Sequence, residues 1–311
     1  MKKQKVLHMG GLYRSKNNQK WGGTRATSKY LYLAFKNDPE FDINFVDRSS
    51  LQAGKTWNLK KIKALVKDAD IVHVDGNGLC DFIFKNKIKI DVIGPITRAP
   101  KTVKAYNANW NPSYTEEWFY SHKIIRLSIS EERNSKHVDA IHIVDHGVPT
   151  TSTVLLPKKN CRKQYILWAG DKKRYAKNYP LMEEIIRTTT LPLGYTFKML
   201  SGYNVEDYWK LLDETAVVIN TSRWETFCCA MFEAKAKGVP VIYKKNLHSG
   251  RFLDNRLQVE YNAKAYSKAL LDLLSDKDTL QRESVLSREY ALENASLEKM
   301  RDSWARIYNE V

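Results

Sequence analysis

Residues 217–243 read VVINTSRWETFCCAMFEAKAKGVPVIY. The run Ala216-Val217-Val218-Ile219 has the length and β-branched content of a buried strand. Asn220 to Arg223 forms a polar turn, after which Phe227, Ala230, Met231 and Ala234 recur at helical spacing. Gly238, just before Pro240, closes that helix, and Val239 to Tyr243 supplies a second strand. This strand-loop-helix-strand unit points to an α/β fold. Glu225 sits in the loop where the helix starts and Glu233 about two turns further on, so both carboxylates border one ligand site at the carboxyl end of the strand. The amides of Thr226, Phe227 and Cys228, at the positive end of the helix dipole, suit an anionic diphosphate or a sugar hydroxyl. A carboxylate further along such a helix suits a ribose diol.

Composition bounds the rest. A chain of 311 residues suits two domains, each able to bury its own core. At 43% hydrophobic and 11% aromatic it reads as globular, not disordered. No apolar run approaches the roughly 20 residues of a membrane span. The start, MKKQKVLHMGG, passes directly into a strand and a glycine turn, unlike a signal peptide. Cys80, Cys161, Cys228 and Cys229 lack zinc-site spacing, so a reduced, cytoplasmic protein is expected, in the host cytoplasm if the chain is viral. The net charge is +16, and residues 1–150 carry 25 basic against 15 acidic side chains. That balance favours a polyanionic partner, either nucleic acid or an anionic membrane surface.

Upstream of the opening stretch, Tyr165 to Gly170 (YILWAG) reads as a buried strand running into a glycine. Asp171, Lys172, Lys173, Arg174, Lys177 and Asn178 follow, then a helix over Pro180 to Arg187. Together with Ser222, Glu225, Glu233, Ala234, Gly238, Val239, Pro240 and Val241, this pattern resembles the C-terminal half of the GT-B glycosyltransferases of family 4, retaining enzymes that use nucleotide-sugar donors. The family has glycine after its first glutamate and again two positions later, where this chain has Thr226 and Cys228. The resemblance implies two Rossmann-like domains facing across a cleft. One is residues 1–150, joined by a C-terminal helix over 290–311 that crosses back to it, and the other is 151–289. It also implies roles for single residues. Glu233 would hold the ribose, and Glu225, with Ser222 and the amides after it, the sugar. Arg174 and Lys177, with Lys172 and Lys173 as competitors, would hold the diphosphate after Gly170. Gly202 and Tyr203, in the turn after the strand Thr196 to Ser201, would contact the base. Cations so placed stabilise charge that grows as the diphosphate departs, where catalysis gains most.

The first half begins with a strand over Lys5 to Met9 that runs into Gly10-Gly11. The turn Gly22-Gly23 precedes a helix over Thr24 to Lys36, and the family resembled has a similar turn facing the diphosphate. A nicotinamide-type dinucleotide fold is excluded. The first turn lacks G-x-G-x-x-G, and Asp47, after the strand Ile43 to Asp47, lies far beyond the expected spacing of about 20 residues. Leu59 to Lys67 is an amphipathic helix with Lys60, Lys61, Lys63 and Lys67 outward. Asp70 to Gly76 is a strand whose His73 matches a family histidine that faces the acceptor, which makes it a catalytic candidate alongside a structural reading. Asp68-x-Asp70 precedes a strand instead of following one and is no metal site. Further strands are expected over Ile88 to Ile96, Ile124 to Ser130 and Ala140 to Val144. Between them, Arg98 to His122 interleaves basic and aromatic residues able to stack on bases or sugars, or simply to pack.

The expected function is therefore metal-independent, retaining transfer of a sugar from a nucleoside diphosphate sugar, such as UDP-glucose, to a hydroxyl. No bound cofactor is expected besides this co-substrate. The compact size, basic first half and aromatic-basic region favour a hydroxymethylated pyrimidine in DNA as acceptor, as in viral enzymes that glucosylate their own genomes. A cell-envelope glycan or lipid-linked acceptor, with the lysine-rich helix on an anionic membrane, is the alternative.

Overall fold

The computed structural model describes residues 3–10, 23–54, 56–75, 79, 82–83, 85–96, 123–130, 135–143, 146–150, 164–201, 205–225, 227–247, 254 and 256–310. They fall into two compact units, the first within Met1–Asn17, Thr24–His146 and Leu297–Val311, the second within Asn18–Gly23 and Gly147–Ser296.

The first unit holds a six-stranded sheet. Its strands are β1 (Gln4–Gly10), β2 (Phe41–Asp47), β5 (Ile71–Val74), β6 (Val92–Ile96), β7 (Lys123–Ser130) and β8 (Ser135–Ile143), in the order β2-β1-β5-β6-β7-β8. Between β2 and β5 lie two short strands, β3 (Gln52–Ala53) and β4 (Thr56–Trp57), paired antiparallel. The first four strands of the large sheet run parallel, and β7 and β8 add an antiparallel hairpin at its edge. All four residues of β5 are buried, as a central parallel strand requires. Helix α1 (Gly23–Phe35) connects β1 to β2. Helix α2 (Leu59–Lys67) starts where the Asn58 side chain accepts from the Lys61 amide at 3.0 Å, and it turns Ile62 inward while its four lysines stay exposed.

The second unit is an all-parallel sheet of β9 (Tyr165–Ala169), β10 (Thr196–Leu200), β11 (Thr215–Asn220), β12 (Val241–Lys244) and β13 (Gln258–Val259), in the order β10-β9-β11-β12-β13. Its helices are α3 (Tyr179–Thr188), α4 (Val205–Asp213), α5 (Cys229–Ala236), α6 (Ala263–Ser275) and α7 (Lys277–Asn294). Ile166, Trp168, Val217, Ile219 and Ile242 from the strands pack against Met182, Ile185, Tyr266 and Leu270 from the helices. Helix α5 ends as its sequence predicts. Gly238, at φ +67°, donates to Lys235 O at 2.8 Å, and Val239 donates to Ala234 O at 2.9 Å, which closes a Schellman turn. Two lysines of this helix end are buried in ion pairs, Lys235 with Asp254 at 2.7 Å and Lys237 with Asp213 at 2.5 Å.

The last helix, α8 (Leu297–Asn309), belongs to the first unit. Trp304 stacks on His73 with ring centroids 4.8 Å apart, and the Tyr308 hydroxyl bonds His73 Nδ1 at 2.8 Å. Phe35 and Phe41 surround Tyr308 at 5.8 and 5.5 Å, and Arg301 Nε donates to Asp38 Oδ2 at 2.6 Å. His73 is therefore not presented at a strand end. It is fully buried, clasped between α8 and the ring of His8, whose centroid lies 4.3 Å away.

Candidate active site

In an open parallel sheet, ligands bind outside the carboxyl ends of the strands, where the chain leaves one strand for opposite sides of the sheet. In the second unit that point lies between β9 and β11, because β10 flanks β9 on one side and β11 on the other. Its two loops are Gly170–Asn178 and Thr221–Cys228, the segments singled out in the sequence.

The loops are stitched together by backbone and buried polar groups. Trp168 Nε1 donates to Thr221 Oγ1 at 2.8 Å, and that hydroxyl donates to Lys177 O at 2.8 Å. Arg223 N donates to Ala176 O at 2.7 Å, and Arg223 Nη2 to Asn178 Oδ1 at 3.1 Å. Asn178 takes a left-handed backbone at φ +45° and donates to Tyr261, whose hydroxyl donates to Thr221 O at 2.9 Å. Gly170 is buried beneath them, and a Cβ there would lie 3.0 Å from the Trp168 ring.

On this frame Lys177 Nζ meets Glu225 Oε1, and Ser222 Oγ donates to the same oxygen at 2.6 Å. Burial alone would raise the Glu225 carboxyl, but the Lys177 ammonium and the Ser222 hydroxyl hold it below its ordinary value. Burial likewise opposes the Lys177 charge, and Glu225 reverses that to hold the ammonium above its ordinary value. The result is a fixed cation and a fixed anion at the end of β11, and the cation can meet a phosphate while the carboxylate accepts from a sugar hydroxyl.

Cys228 caps α5 at φ +58°, a left-handed backbone that glycine adopts without cost. Its thiol accepts from Asn220 Nδ2 at 3.4 Å, and burial, with Glu225 nearby, pushes it up to about 12. Helix α5 thus begins at Cys229, so Phe227 and Cys228 belong to the loop and not to the first helical turn. Phe227 is buried, its ring stacked on Phe232 at 4.5 Å. Glu233 lies on α5 at 2% exposure, enclosed by the fold.

Arg174 is exposed at the cap of the short turn Tyr175–Lys177, and Lys172 and Lys173 are exposed beside it. The structure brings Lys177, Glu225, Ser222, Gly170 and Cys228 together, and it leaves His73 in the other unit's core. Gly23 is the first residue of α1. Gly22, Gly202, Tyr203, Thr226 and the region Arg98 to His122 lie outside the described residues.

Sequence reasoning missed Thr221 and Tyr261 and gave Asn178 no role; these residues carry no charge and gain meaning only when the two loops meet. It also passed over Asp75 as a site residue. In the first unit the corresponding point lies between β1, which ends at Gly10, and β5, which Asp75 directly follows. Asp75 is buried, and burial, partly offset by Arg48 and a hydrogen bond with Ser28, pushes its carboxyl up to about 7. A Cβ on Gly10, at φ +133°, would lie 2.2 Å from Asp75 O, so only glycine fits there.

No family model matches the chain, and no curated protein matches it. Solved structures do. Sucrose-phosphate synthase from Thermosynechococcus elongatus is similar at TM-score 0.66 and 12% identity, over 99% of each chain. HepE from Anabaena, in complex with UDP and glucose, is similar at 0.62 and 10%, over 99% of this chain and 100% of that one. A glycosyltransferase from Rickettsia africae is similar at 0.59 and 16%, over 100% and 99%. These likenesses span the whole chain and show its fold, that of the GT-B glycosyltransferases.

Proposed function

We propose that this protein is a retaining glycosyltransferase that moves a sugar from a nucleoside diphosphate sugar to a hydroxyl. The observation that carries the reading is the Lys177–Glu225–Ser222 cluster at the carboxyl ends of β9 and β11. The structure of HepE, of similar fold, holds UDP and glucose. In this reading Lys177 and Arg174 hold the diphosphate, Glu225 and Ser222 the sugar, and Glu233 the ribose. The bond between the anomeric carbon and the β-phosphate oxygen breaks as the acceptor oxygen bonds that carbon on the same face, and the departing phosphate oxygen takes the acceptor proton. The two cations stabilise that oxygen as its charge grows, without a metal.

The acceptor we favour is a hydroxymethylated pyrimidine in DNA, on the strength of the +16 charge. A lipid-linked or envelope glycan is the second reading, favoured by the four exposed lysines of α2.

The test is transfer of labelled sugar from UDP-glucose and related donors to plain DNA, hydroxymethylpyrimidine DNA and a membrane-lipid extract. Label on the modified DNA alone is expected, and label in the lipid fraction would replace the acceptor. Failure of every nucleoside diphosphate sugar to bind in calorimetry would overturn the enzyme class.

A further inference from the structure

Two of the largest exposed hydrophobic side chains stand together at the mouth of this site. Tyr175 is 69% exposed and Trp224 39%, with ring centroids 5.8 Å apart and planes at 52°. They flank the Lys177–Glu225 pair in sequence, one from each loop. Neither is placed there by a floppy segment. Tyr175 opens the short turn that ends at Lys177, and Arg223, the neighbour of Trp224, is tied by its backbone amide to Ala176 O at 2.7 Å. The Arg223 guanidinium lies 4.2 Å from the Tyr175 ring centroid, anchored by Asn178, and so fixes the tyrosine ring from one side. Two exposed rings held by a rigid frame lose little entropy when they bind.

Their surroundings are cationic. Lys172, Lys173 and Arg174 are consecutive and exposed, and among the described residues none of the three has a carboxylate ion-pair partner. Asp171 is the nearest acid in sequence, and its Oδ1 accepts from the Lys173 amide at 3.0 Å. Lys172 Nζ lies 4.5 Å from the Tyr179 ring centroid, and three consecutive cations suit a charged backbone better than a neutral glycan. Exposed rings set against cations that follow a charged backbone are the arrangement that holds single-stranded nucleic acid.

We propose that Tyr175 and Trp224, with Lys172 and Lys173, form a stacking platform for unpaired bases of single-stranded nucleic acid beside the donor site. Its purpose, holding the acceptor strand near the sugar, rests on the transferase reading; its binding does not.

The experiment measures anisotropy of a fluorescein-labelled dT12 oligonucleotide with the full chain, against an abasic strand of the same length and against dextran sulfate. The wild type should bind dT12 more tightly than the abasic strand. The Tyr175→Ala/Trp224→Ala double variant should lose that preference, with an affinity drop of about 5- to 150-fold for each base stack removed. Lys173→Gln should weaken dT12 and the abasic strand alike and flatten the salt dependence by about 0.7 in the log–log slope for one lost phosphate contact. Equal affinity for dT12 and the abasic strand overturns the platform, as does a double variant with unchanged dT12 affinity. Dextran sulfate binding that the double variant loses, without a dT12 preference, overturns it in favour of an anionic glycan. UDP-glucose affinity by calorimetry, read on the same samples and expected unchanged in the double variant, tests the transferase reading separately.

Discussion

Replacing Lys177 with methionine removes the cation from a nearly enclosed pair while keeping the length of the side chain. The two side chains are only 19% and 12% exposed, and within its own loop Glu225 keeps the Ser222 hydroxyl and the Cys228 thiol as hydrogen-bonding partners. Breaking a fully buried pair costs about 3–5 kcal/mol because a charge is left without compensation. With this residual exposure, the expected loss at pH 7 is about 2–4 kcal/mol. The double variant Lys177→Met/Glu225→Gln strands no charge and should recover at least half of it. The pH dependence fixes the cause. In the wild type the Glu225 carboxyl sits lower folded than unfolded, so its contribution is present above the unfolded value, about 4.3, and is lost as pH falls through the folded one. In Lys177→Met burial dominates and the carboxyl rises above its unfolded value, so the variant's deficit shrinks as pH falls from 7 to 5. Urea unfolding at pH 7, 6 and 5 measures both effects. A deficit below about 0.5 kcal/mol, or one that stays constant with pH, would refute the account of the pair as a buried, mutually stabilised unit.

Three further outcomes follow from single positions. Cys228→Val places a β-branched side chain at φ +58° and should cost about 2 kcal/mol or more, whereas Cys228→Gly removes the strain and should stay within about 1 kcal/mol of wild type, measured by thermal unfolding. The Cys228 thiol, pushed up to about 12, should resist iodoacetamide at pH 8 in a Cys229→Ser background and react fully once urea unfolds the chain, as read by mass spectrometry. Tyr308→Phe strips the hydroxyl from buried His73 and should cost about 1–3 kcal/mol in urea unfolding.

Much of this architecture was legible because its strands are short apolar runs bounded by glycine, proline and polar turns. The helix of the opening stretch was placed about one turn too early. Phe227 fits the helical period, but the left-handed backbone at Cys228 holds Phe227 outside the helix, and no side-chain pattern announces a positive φ at a cysteine. The pairing of Lys177 with Glu225 joins residues 48 apart through two loops that only the parallel order of β9 and β11 brings side by side. Lys235 and Lys237 are buried because Asp254 and Asp213 meet them from other elements, pairings that no local pattern announces. His73 invited a functional reading for its chemistry, and only the return of α8 shows that this imidazole is packed between two rings and a hydroxyl. The antiparallel hairpin at the edge of the first sheet carries no turn motif that a parallel α/β reading would anticipate.

The bond between His73 and Tyr308 closes a loop of 235 residues. The second unit draws its whole sheet from within Gly147–Ser296, whereas the first waits for α8, which follows that segment in the chain. A nascent chain should therefore mature in the reverse of its written order, with the later unit protected first and the earlier one sealed last. Until then His8, His73 and the faces of Phe35 and Phe41 stay open to chaperones and proteases. A stop codon just before α8 would spare the second unit's sheet and unmake the first.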